Sequence, residues 1–210
     1  MNQGAYVRRR TNEVNQLPHV STEDRSIQFI DAAVRVIAER GVASATTRRI
    51  AEAADAPLAS LHYCFRDKDG LFLAVFEHLA AEVAKQFTSI EPAELEVTAA
   101  EVVRRSVRWL MDHPDYALAE VDLYMWMTRH RPALAKESYD VFLRAVTDVL
   151  QRAAGPSARA EAIANLASVL IGATDGLVLQ WASDRDRARA DAYADVICAG
   201  IPAMCSGIRG

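Results

Sequence analysis

Apolar residues recur every three or four positions along most of the chain, which is the period of an α-helix. In residues 21–40, the positions Ile27, Ile30, Val34 and Ile37 form one apolar stripe, and Gly41 ends the pattern. Ser21 begins a sequence that fits a capping box. The chain as a whole predicts an all-α protein of about nine helices.

Two very short helices follow the first one. Thr46 or Thr47 can cap one of them, because a hydroxyl accepts a bond from a free N–H of the first helical turn. Pro57 suits the first position of the next helix, predicted over residues 58–64. Helices this short are unstable alone. Two of them joined by a tight turn form a helix-turn-helix, whose second helix can enter a DNA major groove.

Longer helices make up the rest of the chain. One is predicted over residues 70–87, and five more follow a break at residues 89–92. The five are predicted near residues 94–112, 115–129, 133–153, 158–182 and 187–205, with proline, glycine or polar residues between them. The fold class is therefore all-α: an N-terminal three-helix helix-turn-helix domain followed by a C-terminal helical bundle.

Three sequence segments resemble the DNA-binding signature of the TetR family of transcriptional regulators. They are Thr46-Thr47-Arg48-Arg49-Ile50-Ala51, Leu61-His62-Tyr63-Cys64-Phe65 and Lys68-Asp69-Gly70-Leu71. The family pattern runs TT-x-x-IA, L-Y-x-H-F and K-x-x-L at these spacings, and the resemblance covers residues 21 to about 80. It implies a dimeric DNA-binding regulator with a ligand pocket in its C-terminal domain.

Four positions depart from the family pattern. Asp55 stands where glycine is usual in the turn, and Pro57 stands where a capping serine is common. His62 and Cys64 stand where the family often has tyrosine and histidine. Asp55 is compatible with the fold, because aspartate tolerates a left-handed backbone better than most residues other than glycine.

Candidate DNA contacts follow from these positions. Hydroxyls, a guanidinium and free N–H groups in the first turn of the second helix can bind phosphates or base edges. Small apolar and polar side chains of the recognition helix can contact bases, and the family lysine at residue 68 contacts the DNA backbone. The predicted DNA-binding residues are Thr46, Thr47, Arg48, Leu58, Ala59, Ser60, His62, Tyr63 and Lys68.

The net charge of −4 gives only weak support to DNA binding, so the distribution of charge matters more. Residues 1–20 carry Arg8, Arg9 and Arg10 and are predicted to be a disordered basic arm. The arm is either a solvated tail or an extra contact to phosphates or the minor groove. Residues 21–68 form the predicted DNA-binding domain, 69–88 a linking helix, and 89–210 the ligand-binding and dimerisation domain.

Composition and the motifs present argue against several other classes of protein. Three cysteines without paired spacing favour a reducing cytoplasm. We find neither a signal-peptide core nor an apolar run that approaches the ~20 residues of a membrane span. His62 and Cys64 lack further ligands at metal-binding spacing, and no phosphate loop or catalytic motif is found. The sequence therefore predicts no enzyme, no cofactor and no metal.

Bulky, adaptable side chains cluster in the middle helices. Methionine and aromatic residues commonly line apolar ligand pockets, although for any one of them an ordinary core position is the simpler interpretation. Asp175 is buried by its helical phase, so it is either a satisfied core carboxylate or a polar group of the pocket. The predicted ligand-binding residues are Trp109, Tyr124, Met127, Phe142 and Asp175.

The last two helices have a wide apolar surface with interspersed small residues. Proteins that resemble this chain dimerise by packing these helices into a four-helix bundle, and a two-fold dimer matches a palindromic DNA site. The predicted dimer interface consists of Ile163, Leu170, Ile171, Leu177, Val178, Trp181, Tyr193, Ile197 and Met204.

These observations predict a cytoplasmic homodimeric repressor that a small, mostly apolar ligand releases from a palindromic operator. The alternatives are a regulator without a small-molecule ligand, and an all-α ligand-binding protein or enzyme.

Overall fold

The computed structural model describes residues 21–87, 90 and 93–208, and within them the regular structure is helical. The predicted arm at residues 1–20 and most of the predicted break at 89–92 lie outside the described residues. The α-helices are α1 Thr22–Arg40, α2 Thr47–Ala53, α3 Leu58–Cys64, α4 Lys68–Lys85, α5 Leu95–Asp112, α6 Pro114–His130, α7 Pro132–Ala154, α8 Ala160–Asp184 and α9 Arg187–Cys205.

The described part of the chain forms nine α-helices, which confirms the predicted all-α fold. The helix ends show why the sequence folds in this way. Ser21 caps α1 by accepting the backbone N–H of Asp24 at 3.0 Å, and Gly41 ends it with φ of 76°. Pro114 and Pro132 occupy first turns, as their fixed φ favours. Pro57 differs from expectation by one position, because it is the N-cap of α3 rather than its first helical residue.

The N-terminal core packs α1 to α4 around Phe29, Ile50, Leu61 and Phe72, each fully buried. This core also contains residues of α6 and α7, namely Ala119, Leu123, Met127 and Ala135. Burying such side chains contributes about 1.5–3 kcal/mol each. The helix-turn-helix is therefore packed directly on the second domain, and α4 is only one of the connections between them.

The turn between α2 and α3 is a Schellman motif that α1 secures. The N–H of Ala56 donates to the carbonyl of Ala51 at 3.0 Å, and that of Asp55 to Glu52 at 3.1 Å. Gln28 of α1 donates to the carbonyl of Ala54 at 2.5 Å. Asp55 has φ of 47°, the left-handed conformation that its place in the turn predicted.

Replacing Asp55 by glycine should stabilise the folded protein by roughly 0.5–1 kcal/mol, because glycine adopts positive φ without a Cβ penalty. Asp55→Ala should have the opposite effect, since alanine lacks a polar side chain that assists the left-handed turn. Urea unfolding of both variants beside the wild type measures the two shifts. Equal stability of the glycine and alanine variants would refute strain at this position.

The C-terminal bundle packs α5, α7 and α9 around α8. Ile163, Leu166, Leu170 and Leu177 of α8 are almost completely buried in the same core as Leu95 and Leu150. By length and composition, α8 is the one described helix that could cross a membrane, contrary to our expectation from the sequence. Because its buried side forms the centre of the bundle, we interpret α8 as a core helix.

Candidate nucleic-acid interface and internal cavity

The recognition helix α3 has a free outer surface. Leu61 is fully buried and fixes the helix on the core, whereas Tyr63 is 79% exposed. Ala59 and His62 are also exposed, and Leu58 and Ser60 are half-buried. Neither His62 nor Tyr63 bonds to another described residue, so both side chains are available to an external partner.

The first turn of α2 lies beside this surface. Thr46 is the N-cap, and its hydroxyl accepts the N–H of Arg49 at 3.3 Å. Arg49 donates to the carbonyl of Ser44 at 3.0 Å, so its guanidinium already has a structural partner. Arg48 is exposed and makes no hydrogen bond or ion pair with a described residue. Thr47 is half-buried beside it.

Lys68 begins α4, and it is the predicted phosphate contact that also lies against a residue of α6. Its Nζ lies 4.9 Å from the ring centre of Phe72 and 5.6 Å from that of Trp126 in α6. Burial lowers the pKa of Lys68, although Asp69 opposes that shift. Asp69 in turn pairs with Arg131 at 2.6 Å, so the start of α4 is held by the end of α6.

All the predicted DNA-contact residues therefore lie at least partly at the surface, on three neighbouring helical segments. Their roles in DNA contact stay predictions. Leu58 is less available than expected, because it packs against the N-terminal core.

An internal cavity of about 180 Å³ lies among α4, α6, α7 and α8. A smaller cavity of about 40 Å³ adjoins it and shares Glu120, Phe142, Ile171 and Asp175 with it. The larger cavity is lined by Phe76, Glu120, Val121, Tyr124, Met125, Tyr139, Phe142, Ile171, Asp175, Val178 and Leu179. Met125 and Leu179 are about half exposed, so the cavity has its mouth between α6 and α8.

The cavity walls combine aromatic rings with two acidic groups. Phe76 lies 6.3 Å from both Phe142 and Tyr124 between ring centres, and Tyr124 lies 6.1 Å from Tyr139. Burial, followed by the charge of Asp175, raises the pKa of Glu120 to about 8. Burial also raises the pKa of Asp175 to about 6.

The structure brings three of the predicted ligand-binding residues together at this cavity: Tyr124, Phe142 and Asp175. The other two lie elsewhere, which corrects the prediction. Trp109 stacks on His113 at 4.3 Å on a different side of the bundle. Met127 is fully buried in the N-terminal core, together with Ala119 and Leu123 of the same helix.

Glu120 is the cavity residue that sequence reasoning missed. It lies on the same side of α6 as Tyr124, one helical turn away, and the accessible part of its side chain borders the cavity. A charged residue in phase with buried aromatic residues was the available signal.

The predicted dimer residues separate into two groups. Ile163, Leu170, Leu177, Val178 and Trp181 are at most 6% exposed and pack inside the protomer, which corrects their assignment to an interface. Ile171 and Ile197 are half-buried, and Tyr193 and Met204 are about 40% exposed. The sequence showed that α8 and α9 are apolar but not which side of each helix faces the protomer core.

The apolar surface left uncovered on α8 and α9 contains other residues as well. We call it the α8–α9 face. It consists of Val169, Gly172, Gly176, Leu179, Tyr193, Val196, Gly200 and Met204.

Helix α6 connects the cavity to the helix-turn-helix. Glu120, Val121 and Tyr124 line the cavity, whereas the opposite face contains Leu123 and Asp122. The Asp122 carboxylate accepts the backbone N–H of Val42 at 2.6 Å, in the short 3₁₀ turn at Val42–Ser44 that precedes α2.

Two further contacts of α6 reach α1 and α4. The Tyr116 hydroxyl donates to Asp31 of α1 at 2.8 Å, and Trp126 packs edge-on against Phe72 of α4 at 5.5 Å. One helix thus contributes both to the wall of the cavity and to the support of the DNA-binding elements.

This fold defines an all-α protein of the helix-turn-helix class with a cavity among α4, α6, α7 and α8. Residues 29–75 match the family model described as bacterial regulatory proteins, tetR family. The chain is 32% identical over 188 residues to the HTH-type nicotine-responsive transcriptional repressor HdnoR of Paenarthrobacter nicotinovorans, covering 84% of this chain and 97% of that protein.

Solved structures give the same fold at low sequence identity. A transcriptional regulator from Rhodococcus sp. Rha1 has a TM-score of 0.69 at 16% identity, over 88% of this chain and 98% of that one. FadR from Bacillus subtilis, solved with stearoyl-CoA, has a TM-score of 0.67 at 18% identity, over 83% of this chain and 96% of that one. The chain belongs to the TetR family and is a DNA-binding transcriptional regulator.

Proposed function

We propose that the protein is a homodimeric repressor that leaves a palindromic operator when a small molecule enters its internal cavity. The observation that carries this proposal is the dual role of α6, which lines the cavity on one face and supports the helix-turn-helix on the other. The similarity to a nicotine-responsive repressor and to a FadR structure that holds stearoyl-CoA supports a small-molecule effector.

The proposed mechanism is a shift between two positions of α6. A ligand that fills the cavity between Tyr124 and Phe142 favours one position, and the contacts of Asp122 and Tyr116 transmit it to the DNA-binding helices. The recognition helices of the dimer are then wrongly spaced for successive major grooves. The effect on DNA affinity cannot exceed the ligand's differential affinity for the two states.

The α8–α9 face is the proposed dimer interface. Gly172 and Gly176 have open space where a Cβ would lie, so a partner helix can approach the backbone of α8 closely. Val196 is 72% exposed, although it is apolar. A two-fold axis through this face would present two α3 helices to a palindrome in the cytoplasm.

The alternative is a regulator that responds to no small molecule. The cavity favours the hypothesis that a small molecule controls the regulator. In another protein, an engineered apolar cavity of about 150 Å³ binds benzene. The cavity of about 180 Å³ described here therefore accommodates a small aromatic compound.

Loss of two cations at the DNA surface should weaken operator binding. We expect the Arg48→Ala, Lys68→Ala double variant to bind about tenfold or more weakly and to reduce the salt slope by about 1–2, because phosphate contacts release counterions. Binding to a labelled fragment of the DNA upstream of the chain's own coding sequence, across a salt series, measures both quantities.

The matched control removes two exposed arginines of α7, Arg144 and Arg152, which changes net charge equally outside the helix-turn-helix. If both double variants weaken binding equally, the predicted contacts are refuted. If neither the upstream fragment nor a selection from random DNA yields a wild-type site, the proposed operator function fails.

A further inference from the structure

The internal cavity contains two carboxyl groups that the rest of the protein leaves unpaired. Glu120 and Asp175 make no hydrogen bond or ion pair with any described residue. Both side chains border both adjoining cavities, from α6 and α8. Buried carboxylates without partners are costly, so a group that the structure does not supply should satisfy them.

The surroundings of this pair offer no positive charge. The described residues that line the two cavities include no lysine, arginine or histidine. Tyr124 of α6 and Tyr139 of α7 are the other titratable groups, and α4 and α5 contribute apolar side chains and Ser106. Burial, followed by the charge of Asp175, raises the pKa of both tyrosines, so they remain neutral at physiological pH.

The aromatic walls of the cavity also suit a positively charged ligand. Phe76, Tyr124, Tyr139 and Phe142 surround the space beside the carboxyl groups, with neighbouring ring centres 6.1–6.3 Å apart. Aromatic faces attract cations, and cages of such rings recognise quaternary ammonium groups. A neutral apolar guest would use the rings but would leave both carboxyl groups unsatisfied.

We infer that the effector is an organic cation, an amine or quaternary ammonium attached to a small apolar or aromatic body, recognised by Glu120 and Asp175. This inference rests on the proposed function, since it names the chemical class of the effector for the same cavity. It narrows the mostly apolar ligand expected from the sequence to a cationic one. The volume of about 180 Å³ fits one ring with a compact substituent.

Two probes of equal shape separate charge from size. Phenyltrimethylammonium and tert-butylbenzene differ only by nitrogen in place of carbon at one centre, and the first is a permanent cation. We expect the wild-type chain to bind the cation about tenfold or more tightly than the hydrocarbon at pH 8.5, measured by calorimetry without DNA.

The Glu120→Gln, Asp175→Asn double variant should lose this preference and bind tert-butylbenzene at least as well as the wild type does. Glu161→Gln, which changes an exposed carboxylate at the start of α8, is the control and should leave both affinities unchanged. A preference that survives in the double variant would place the cation elsewhere and overturn the inference.

The pH dependence gives a second readout. Glu120 must lose its proton to pair with the cation, so binding of phenyltrimethylammonium should tighten from pH 6 to pH 9 and release protons. Binding of tert-butylbenzene should show no such trend. Tighter binding of the hydrocarbon, or no binding of either probe, would refute a cation site in this cavity.

These outcomes remain distinct from failure of the proposed function. A protein that binds its operator and releases it with a neutral compound, but never prefers the cation, refutes only the effector class. A wild-type chain that binds no DNA site refutes the proposed function, whichever probe enters the cavity.

Discussion

Replacing Glu120 by glutamine should stabilise the ligand-free protein by about 1–3 kcal/mol at pH 8.5 and by almost nothing near pH 4.5. The pKa of Glu120 rises from 4.5 to about 8 on folding, because the carboxyl group is buried beside Asp175. Between these values the folded state keeps a proton that the unfolded state has released. Stability is therefore fully present below pH 4.5 and is lost as pH rises toward 8.

Glutamine has no proton to lose, so the variant escapes this loss. The range given allows for water that enters the cavity and reduces the full effect of the pKa shift. Asp175→Asn should change stability in the same direction over a lower pH window, because the pKa of Asp175 rises from 3.8 to about 6.

Urea unfolding at pH 5, 7 and 8.5 tests this prediction, with the exposed Glu161→Gln as control. A stability gain that is the same at every pH would assign the effect to packing rather than to charge. A less stable variant at pH 8.5 would show that Glu120 has a favourable partner in the folded protein.

If a substitution at Glu120 stabilises the free protein, it also shows how much folding stability the protein loses by keeping this carboxyl group in the proposed effector site. Removing a group that destabilises the free protein costs function when that group serves ligand binding. The same substitution should therefore raise stability and lower affinity for the cationic probe, and this opposition distinguishes a binding group from a structural one.

Local features of the fold could be predicted from the sequence because short-range interactions determine them. The helix-turn-helix follows from the spacing of Thr46, Ile50 and Leu61, and the helix ends follow from glycine and proline. The left-handed backbone at Asp55 follows from its place in a tight turn. Each of these depends on residues within about one or two helical turns.

The candidate cavity depends on long-range packing and was predicted only in part. Periodicity shows that α6 and α8 are apolar but not which neighbour covers each side. The pattern therefore predicts Met127 at the cavity although it lies in the N-terminal core, and it predicts core residues of α8 at a dimer interface. The role of α6 requires knowing that it packs on α1, which the sequence pattern does not encode.

The contact between Asp122 and Val42 gives the second large expected effect. Asp122→Ala should destabilise the protein by about 1–3 kcal/mol, because it leaves the Val42 N–H without its charged acceptor. It should also reduce the effect of effector on operator affinity, which is typically 5–150-fold in such systems, to within about threefold. The hydrogen bond joins the cavity-lining helix to the turn before α2, so its loss uncouples the two sites.

Two other substitutions make this test specific. Asp122→Asn keeps an oxygen that can accept the Val42 N–H, so it should retain much of the stability and of the coupling. Asp115→Ala removes an exposed carboxylate from the same helix and should leave the coupling intact. Operator affinity with and without saturating effector gives the coupling factor, and hydrogen exchange at Val42 reports the bond itself.

Linkage supplies an internal check, because operator DNA must change effector affinity by the same factor as effector changes operator affinity. If Asp122→Ala keeps the full factor while exchange at Val42 accelerates, the bond is broken without consequence for the response. The signal would then pass through Lys68 and α4, the linking helix that the sequence first suggested. If the factor collapses in both directions, α6 is the element that the effector moves.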